Sequence, residues 1–222
     1  MLLELKNITT IINGVKIHDN LNFSISAGEI VSLMGGSGSG KTTFANVVLN
    51  FMPITSGEIF FLGKRIQNVD SLNSKIAYQV QNNALFADKT VIENIAFPLR
   101  YVANLEWNIA IELAFRKLFL VNLNYDDAYK YPHMLSGGMM KKVALARAIA
   151  TDPNLLILDE PFSGLDNVNL KHIQELIYKL SKKMSIICIT HHFLKSDRYY
   201  MLQSGKFNQI SESEVKVNYA FF

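Results

Sequence analysis

Residues 35–43 read GGSGSGKTT, and no other stretch of this chain restricts its fold as tightly. Gly35, Gly40, Lys41 and Thr42 fall on the spacing G-x-x-x-x-G-K-[ST], in which a glycine-rich turn aims successive backbone N–H groups inward as a cradle for phosphate oxygens. Such a loop needs a strand to feed it and a helix to leave it. The apolar run IVSLM stands before it, and TTFANVVLNFM after it carries helical spacing. The helix adds its free N-terminal amides and its dipole to the cradle. Lys41 is placed to reach the β- and γ-phosphates, and the Thr42 hydroxyl to coordinate Mg²⁺. A flexible Gly/Ser linker is the alternative, but average residue usage gives this spacing by chance in about one chain per hundred of this length. Strand, glycine loop and helix form the opening βα unit of a P-loop fold.

The rest of the chain is organised around that unit. LLELKNIT, LNFSISAGEIVSLM and SGEIFFLGKRI read as strands with Gly, Asn and Ser punctuation. From about Asn82 to Asn154 the texture turns helical, with Pro98 and the polar NLNYDD stretch expected to interrupt the helices. LLILD and SIICIT then read as buried strands and NLKHIQELIYKLSKK as a helix. The expectation is a single α/β domain over 1–222, with a core of about 1–81 and 155–222 and an inserted helical subdomain of about 82–154.

Composition narrows the function. With 22 basic and 19 acidic side chains the net charge is +3, and no basic stripe marks a nucleic-acid surface, so no nucleic-acid partner is expected. Cys188 is the one cysteine; inside an apolar run it reads as a core residue in a reducing compartment. No apolar stretch approaches the roughly 18 residues of a membrane span, and MLLELKNITT lacks the regions of a signal peptide. If the chain works at a membrane, a partner is expected to hold it there.

A second chemical feature is LLILDEP, an apolar strand ending in Asp159 and Glu160. Backbone alternation is expected to send the two carboxylates in different directions. Asp159 then suits the Mg²⁺ shell opposite a P-loop, and Glu160 suits a general base facing an attacking water. A solvated pair at a strand end is the plainer alternative. A third feature is LSGG at 135–138, two glycines at the start of a helix, where glycine is costly.

Together these motifs resemble the ATP-binding subunit of ABC transporters along nearly the whole chain. Gly35, Gly36, Ser37, Gly38, Ser39, Gly40, Lys41, Thr42 and Thr43 match its Walker A loop, Leu135–Gly138 its signature and Leu155–Glu160 its Walker B strand. Gln81 sits at the Q-loop position, Ser163–Asp166 (SGLD) resembles the D-loop, and His191 after Thr190 resembles the switch histidine. The resemblance implies ATP and Mg²⁺ as cofactors and a RecA-like P-loop core with an ABC helical subdomain. It implies a head-to-tail homodimer in which Ser136, Gly137 and Gly138 reach the γ-phosphate held by the other subunit, with Asp166 nearby. Thr42, Gln81 and Asp159 would serve the metal, and Glu160, His191 and Gln81 the hydrolysis.

Three departures stand out. His192 occupies a position where the family usually has Asp, and no role is assigned to it. The aromatic residue that often stacks on adenine is missing; Ile12 lies at about that place, with His18 further along. Met139 replaces the usual Gln after LSGG, and with NNALF and ENIAFPLR it resembles the Mla/Mce branch, which implies lipid transport with a membrane permease and a lipid-binding MCE-domain protein at the cytoplasmic face of a bacterial inner membrane. The alternatives are a transporter ATPase for another substrate, such as an amino acid, metal or lipoprotein, and a soluble ABC-type ATPase. By the same likeness a permease helix docks near Gln81. The loop of about Asn82 to Ala87 is then the docking edge, with Phe97 and Leu99 mostly core. The apolar end KVNYAFF is expected to pack on the core or on a second subunit.

Overall fold

The computed structural model describes residues 1–66 and 75–219, the side chains of 218 and 219 excepted. They belong to two compact units, Met1–Asn73 with Ser181–Phe222, and Ser74–Leu180.

In the first unit an antiparallel sheet runs in the order β2 (Val15–Ile25), β1 (Leu3–Ile12), β4 (Ser56–Phe61) and β5 (Lys64–Arg65). Alongside it β3 (Ile30–Met34) pairs in parallel with both β8 (Ser185–Ile189) and β9 (Arg198–Gln203), and β10 (Lys206–Ile210) closes a hairpin on β9. Every residue of β3 and β8 is buried, Cys188 included. That explains why both read as near-continuous apolar runs rather than alternating ones. Helix α1 (Lys41–Val48) buries Phe44, Ala45, Val47 and Val48. The Phe44 ring meets Phe23 of β2 at 5.1 Å and Phe207 of β10 at 5.0 Å, both edge-on, the favoured arrangement for aromatic pairs. This cluster fixes the helix that leaves the glycine loop. Helix α6 (Glu212–Tyr219) lays Val215 against Met34 and Tyr199. Of KVNYAFF, Lys216 and Val217 are exposed, and residues 220–222 lie outside the described residues.

In the second unit β6 (Ile76–Gln79) and β7 (Leu155–Asp159) pair in parallel from Ile76 opposite Leu155 to Gln79 opposite Leu158. Helices α2 (Val91–Tyr101), α3 (Trp107–Leu120), α4 (Gly137–Ala148) and α5 (Asn167–Ser181) supply most of its remaining mass. A reciprocal cap opens α2: the Glu93 amide donates to Thr90 Oγ1, and the Thr90 amide to Glu93 Oε2 at 2.8 Å. Pro98 does not interrupt this helix, contrary to the sequence expectation; it lies inside it. Proline removes one amide from the ladder, but Ile95, Ala96 and Leu99 bury the same face and the Val102 amide still bonds the Pro98 carbonyl. The break comes later, at Asn104, whose φ is 55°. NLNYDD ends α3 as expected, with Asn122 at φ 57°.

Candidate active site

The first unit holds the glycine loop. Gly40 starts α1 at φ 103° with no side-chain cap. A methyl group there would sit 2.8 Å from Ile17 Cγ2 and 3.2 Å from His18 Nε2, so both backbone conformation and space exclude other residues. The loop is drawn closed from within: Lys41 Nζ donates to the carbonyls of Gly35 at 2.7 Å and Gly36 at 2.9 Å. Ile17 and residues 38–43 line a cleft of about 170 Å³. Beside it the Ser39 hydroxyl oxygen is buried with no hydrogen-bond partner. A buried hydroxyl without a partner is costly unless something completes it. With a lysine ammonium and the free amides of a helix start around it, the donor set fits a polyphosphate and its Mg²⁺.

His18 is not a platform for a base. It is 1% exposed on β2, with Nδ1 3.2 Å from Thr10 Oγ1 and Nε2 3.2 Å from the Gly40 carbonyl. Burial pulls its pKa below the ordinary histidine value, which the bond to Gly40 only partly offsets. The histidine braces the loop from behind. Ile17, one residue earlier on the strand, lines the cleft with an apolar side chain. Ile17 falls at a register irregularity of β2, between His18 opposite Thr10 and Lys16 opposite Ile11, which no local sequence pattern announces.

His191 follows β8. Leu33 pairs with Ile189, and the Thr190 amide donates to the Leu33 carbonyl at 3.1 Å. His191 and Gly35 therefore leave the same carboxyl edge of adjacent parallel strands, where ligands gather in α/β sheets. His192 is tied by its amide to Thr190 Oγ1 at 2.9 Å.

The second unit holds the carboxylates, and they are not a solvated pair: Asp159 is 4% and Glu160 9% exposed. Tyr78 on β6 donates its hydroxyl to Asp159 Oδ2 at 2.8 Å. Burial first, then that carboxylate, pushes the Tyr78 phenol far above its ordinary pKa, so it remains a donor. Strand alternation stops at Asp159. Glu160 adopts φ 49°, and this left-handed turn rather than the pleat sets its direction. Such a conformation costs a non-glycine residue about 1–3 kcal/mol and persists only where neighbours enforce it. The Glu160 carbonyl accepts from Lys141 Nζ at 2.9 Å, Ser163 Oγ at 3.1 Å and the Ser163 amide at 3.3 Å. Sequence reasoning passed over both Tyr78 and Lys141.

Ser136 caps α4, accepting from the Met139 amide at 3.3 Å. Ser136 and Gly137 are exposed, while Met139 is half-buried. A methyl group on Gly137 would meet nothing within 4 Å; on Gly138 it would meet the Asn169 side chain at 3.0 Å. Asp166 is the N-terminal cap of α5, accepting from the amides of Val168 and Asn169 and from Asn169 Nδ2. Those bonds hold its carboxyl below the usual range.

Gln81 is exposed in the turn after β6. The loop beyond it is clamped rather than loose. Arg147 donates to the carbonyls of Asn83 and Ala84, each at 2.7 Å, and lies over the Phe86 ring. Buried Asn94 accepts from the Phe86 amide and donates to the carbonyls of Phe86, Lys89 and Thr90. A groove of about 480 Å³ opens beside this loop, lined by Tyr78, Phe86, Phe97, Val102 and Arg147 among others. Leu99 is core as expected, 4% exposed, but Phe97 is half-exposed and forms a wall of the groove.

A family profile described as ABC transporter matches residues 18–163. The chain belongs to the ABC transporter family. Among curated relatives of this ABC ATPase, the intermembrane phospholipid transport system ATP-binding protein MlaF of Haemophilus influenzae is 37% identical over 85% of this chain and 73% of its own length. The spermidine/putrescine import ATP-binding protein PotA of Lawsonia intracellularis is 37% identical over 94% of this chain, which spans 58% of that relative. The sulfate/thiosulfate import ATP-binding protein CysA of Pseudomonas aeruginosa is 34% identical over 98% and 69%. A dimeric ATP-binding cassette solved in a post-hydrolysis state with ADP and Pi superposes at a TM-score of 0.85, with 28% identity over 95% of this chain and 99% of that one. The ABC ATPase therefore has the cassette fold, hydrolyses ATP and uses ATP with Mg²⁺. No helix among its described residues is long and apolar enough to cross a membrane.

Proposed function

We propose that this ABC ATPase powers phospholipid transport through a membrane permease, acting as a head-to-tail homodimer at the cytoplasmic face of a bacterial inner membrane with an MCE-domain lipid-binding partner. The observation that carries the substrate is the likeness to MlaF, supported by Met139 after the signature glycines. PotA and CysA relatives of comparable identity favour a second reading, import of a small polar solute.

The roles of the residues belong to the same proposal. Residues 35–43 hold the phosphates, with Lys41 neutralising the β and γ groups. Thr42, Asp159 and Gln81 hold Mg²⁺, which when bound screens charge developing on the phosphoryl oxygens. Tyr78 keeps the Asp159 carboxylate oriented by donating to one oxygen. Glu160 takes the proton of the attacking water and His191 positions that water against the γ-phosphate. Ser136, Gly137 and Gly138, with Asp166 nearby, close over the phosphates of the second subunit. The groove beside Phe86 and Phe97 receives a short permease helix, apolar residues meeting the two rings and a carbonyl end meeting Arg147.

The test is a native pull-down of the tagged chain from detergent-solubilised membranes, with mass spectrometry of proteins and lipids. A multi-span permease recovered with an MCE-domain protein and phospholipid is the expected result. A permease recovered with a solute-binding protein and no lipid would shift the assignment to the polar-solute reading.

A further inference from the structure

Lys141 is an unusual residue for a helix interior. It is 6% exposed, one turn into α4 from the LSGG glycines, and burial lowers its pKa against the opposing pull of Glu160 and Asp159. A buried ammonium is tolerated only where acceptors and opposite charge replace water. Its acceptors are the Glu160 carbonyl at 2.9 Å and Ser163 Oγ at 3.1 Å, and Ser163 Oγ itself donates to the Glu160 carbonyl at 3.1 Å. With the Ser163 amide, which donates at 3.3 Å, three donors converge on the carbonyl of Glu160, whose backbone is left-handed at the end of β7.

From this geometry we infer that Lys141 is a positioning residue for hydrolysis. It holds the Glu160 backbone in its left-handed turn and so aims the carboxylate that acts as the base. The inference rests on the proposed role of Glu160. It also assigns α4 two tasks within one subunit. The N-terminus of the helix, at Ser136 to Gly138, serves the partner's nucleotide, while Lys141 grips the base of the subunit's own site. Gly138 reinforces the link, because a methyl group there would sit only 3.0 Å from the side chain of Asn169, the residue bonded to Asp166. Any shift of α4 on meeting the partner's phosphates moves the Glu160 peptide with it. The pattern LSGGMMKK contains the residue without advertising it: only one of the two adjacent lysines is buried, Lys142 being half-exposed.

The experiment is single-turnover ATP hydrolysis by the full chain at high protein concentration, with ATP affinity measured separately by titration. Lys141→Met removes the donor and keeps the apolar stem. We expect its hydrolysis rate to fall about tenfold or more, within the range that a correctly placed base contributes, with ATP affinity within about twofold of wild type. Lys141→Arg should recover most of the rate, which a mere loss of packing would not predict. If Lys141→Met folds poorly by thermal melt, Ser163→Ala tests the same carbonyl more gently and should slow hydrolysis without weakening ATP binding. Wild-type hydrolysis by Lys141→Met, with Glu160→Gln inactive, overturns the positioning role while leaving the base in place. Wild-type hydrolysis by Glu160→Gln overturns the base assignment, and the role of Lys141 with it.

Discussion

The chain starts two helices from glycine-rich loops, and the two are built differently. At α1, Gly40 is left-handed, uncapped by any side chain, and so close to Ile17 and His18 that its own fold demands glycine. At α4, Gly137 and Gly138 lie inside the helix, Ser136 supplies an ordinary cap, and nothing lies within 4 Å of a Cβ added to Gly137. The first loop is closed from within, by a lysine and a buried histidine on two sides, and leaves the Ser39 hydroxyl to be completed. The second has room for a side chain at its first glycine, which faces open space. Glycine that a fold does not need, at a helix terminus with free amides, points to a ligand from outside the chain.

The comparison breaks most sharply through hydrolysis. Glu160→Gln should retain ATP binding and lose about 10²–10⁴-fold in turnover, accumulating as an ATP-bound dimer by size-exclusion chromatography; near wild-type turnover would remove Glu160 as the base. Lys41→Ala acts at the self-contained loop. It should weaken ATP binding by roughly 10–100-fold, the effect of losing one charge-assisted hydrogen bond, in the monomer as well as the dimer. Unchanged affinity in a titration would contradict the phosphate-cradle assignment.

Gly137→Ala separates the two loops directly. In the monomer it should be neutral or raise the melting temperature, because alanine is favoured over glycine in a helix by up to about 1 kcal/mol. Turnover should nevertheless fall several-fold, since in the proposed dimer the methyl group would occupy the space given to the partner's phosphates. The corresponding change at Gly40 should instead lower both stability and ATP affinity. A Gly137→Ala chain with full turnover would show that the open face at the signature meets no ligand.

The sequence exposed the parts that obey short-range rules. β3, β7 and β8 were legible because near-continuous apolar runs suit strands buried on both faces, and the glycine loop because its spacing is chemically constrained. What it hid depends on contacts far apart in the chain. His18 touches a carbonyl at residue 40, Tyr78 a carboxylate at 159, and Lys141 a carbonyl at 160; no local pattern announces such pairs. Pro98 was misread because a helix breaker was weighed without the buried face that holds the helix together. The left-handed turn at Glu160 was missed because the strand pattern continues up to Asp159 and gives no warning of its end.

The smallest expected effect concerns the brace behind the first loop. His18 is held below the ordinary histidine pKa by burial, so the unfolded chain takes up its proton first as pH falls. Stability tied to this residue is therefore complete above the ordinary value of about 6.5 and is lost as pH drops below it towards the folded-state value. The neutral ring that fits is one whose Nε2–H donates to the Gly40 carbonyl while Nδ1 accepts from the Thr10 hydroxyl. His18→Gln keeps a polar group there but cannot titrate. Thermal melts of the two chains from pH 8 to pH 5 should show wild type the more stable at the alkaline end and the difference shrinking below about pH 6.5, with ATP affinity following the same trend. Ser136→Ala, which removes a neutral cap from the other loop, should cost about 1 kcal/mol at every pH. A difference between wild type and His18→Gln that stays constant across that range would mean that the ring supports the phosphate loop by shape alone.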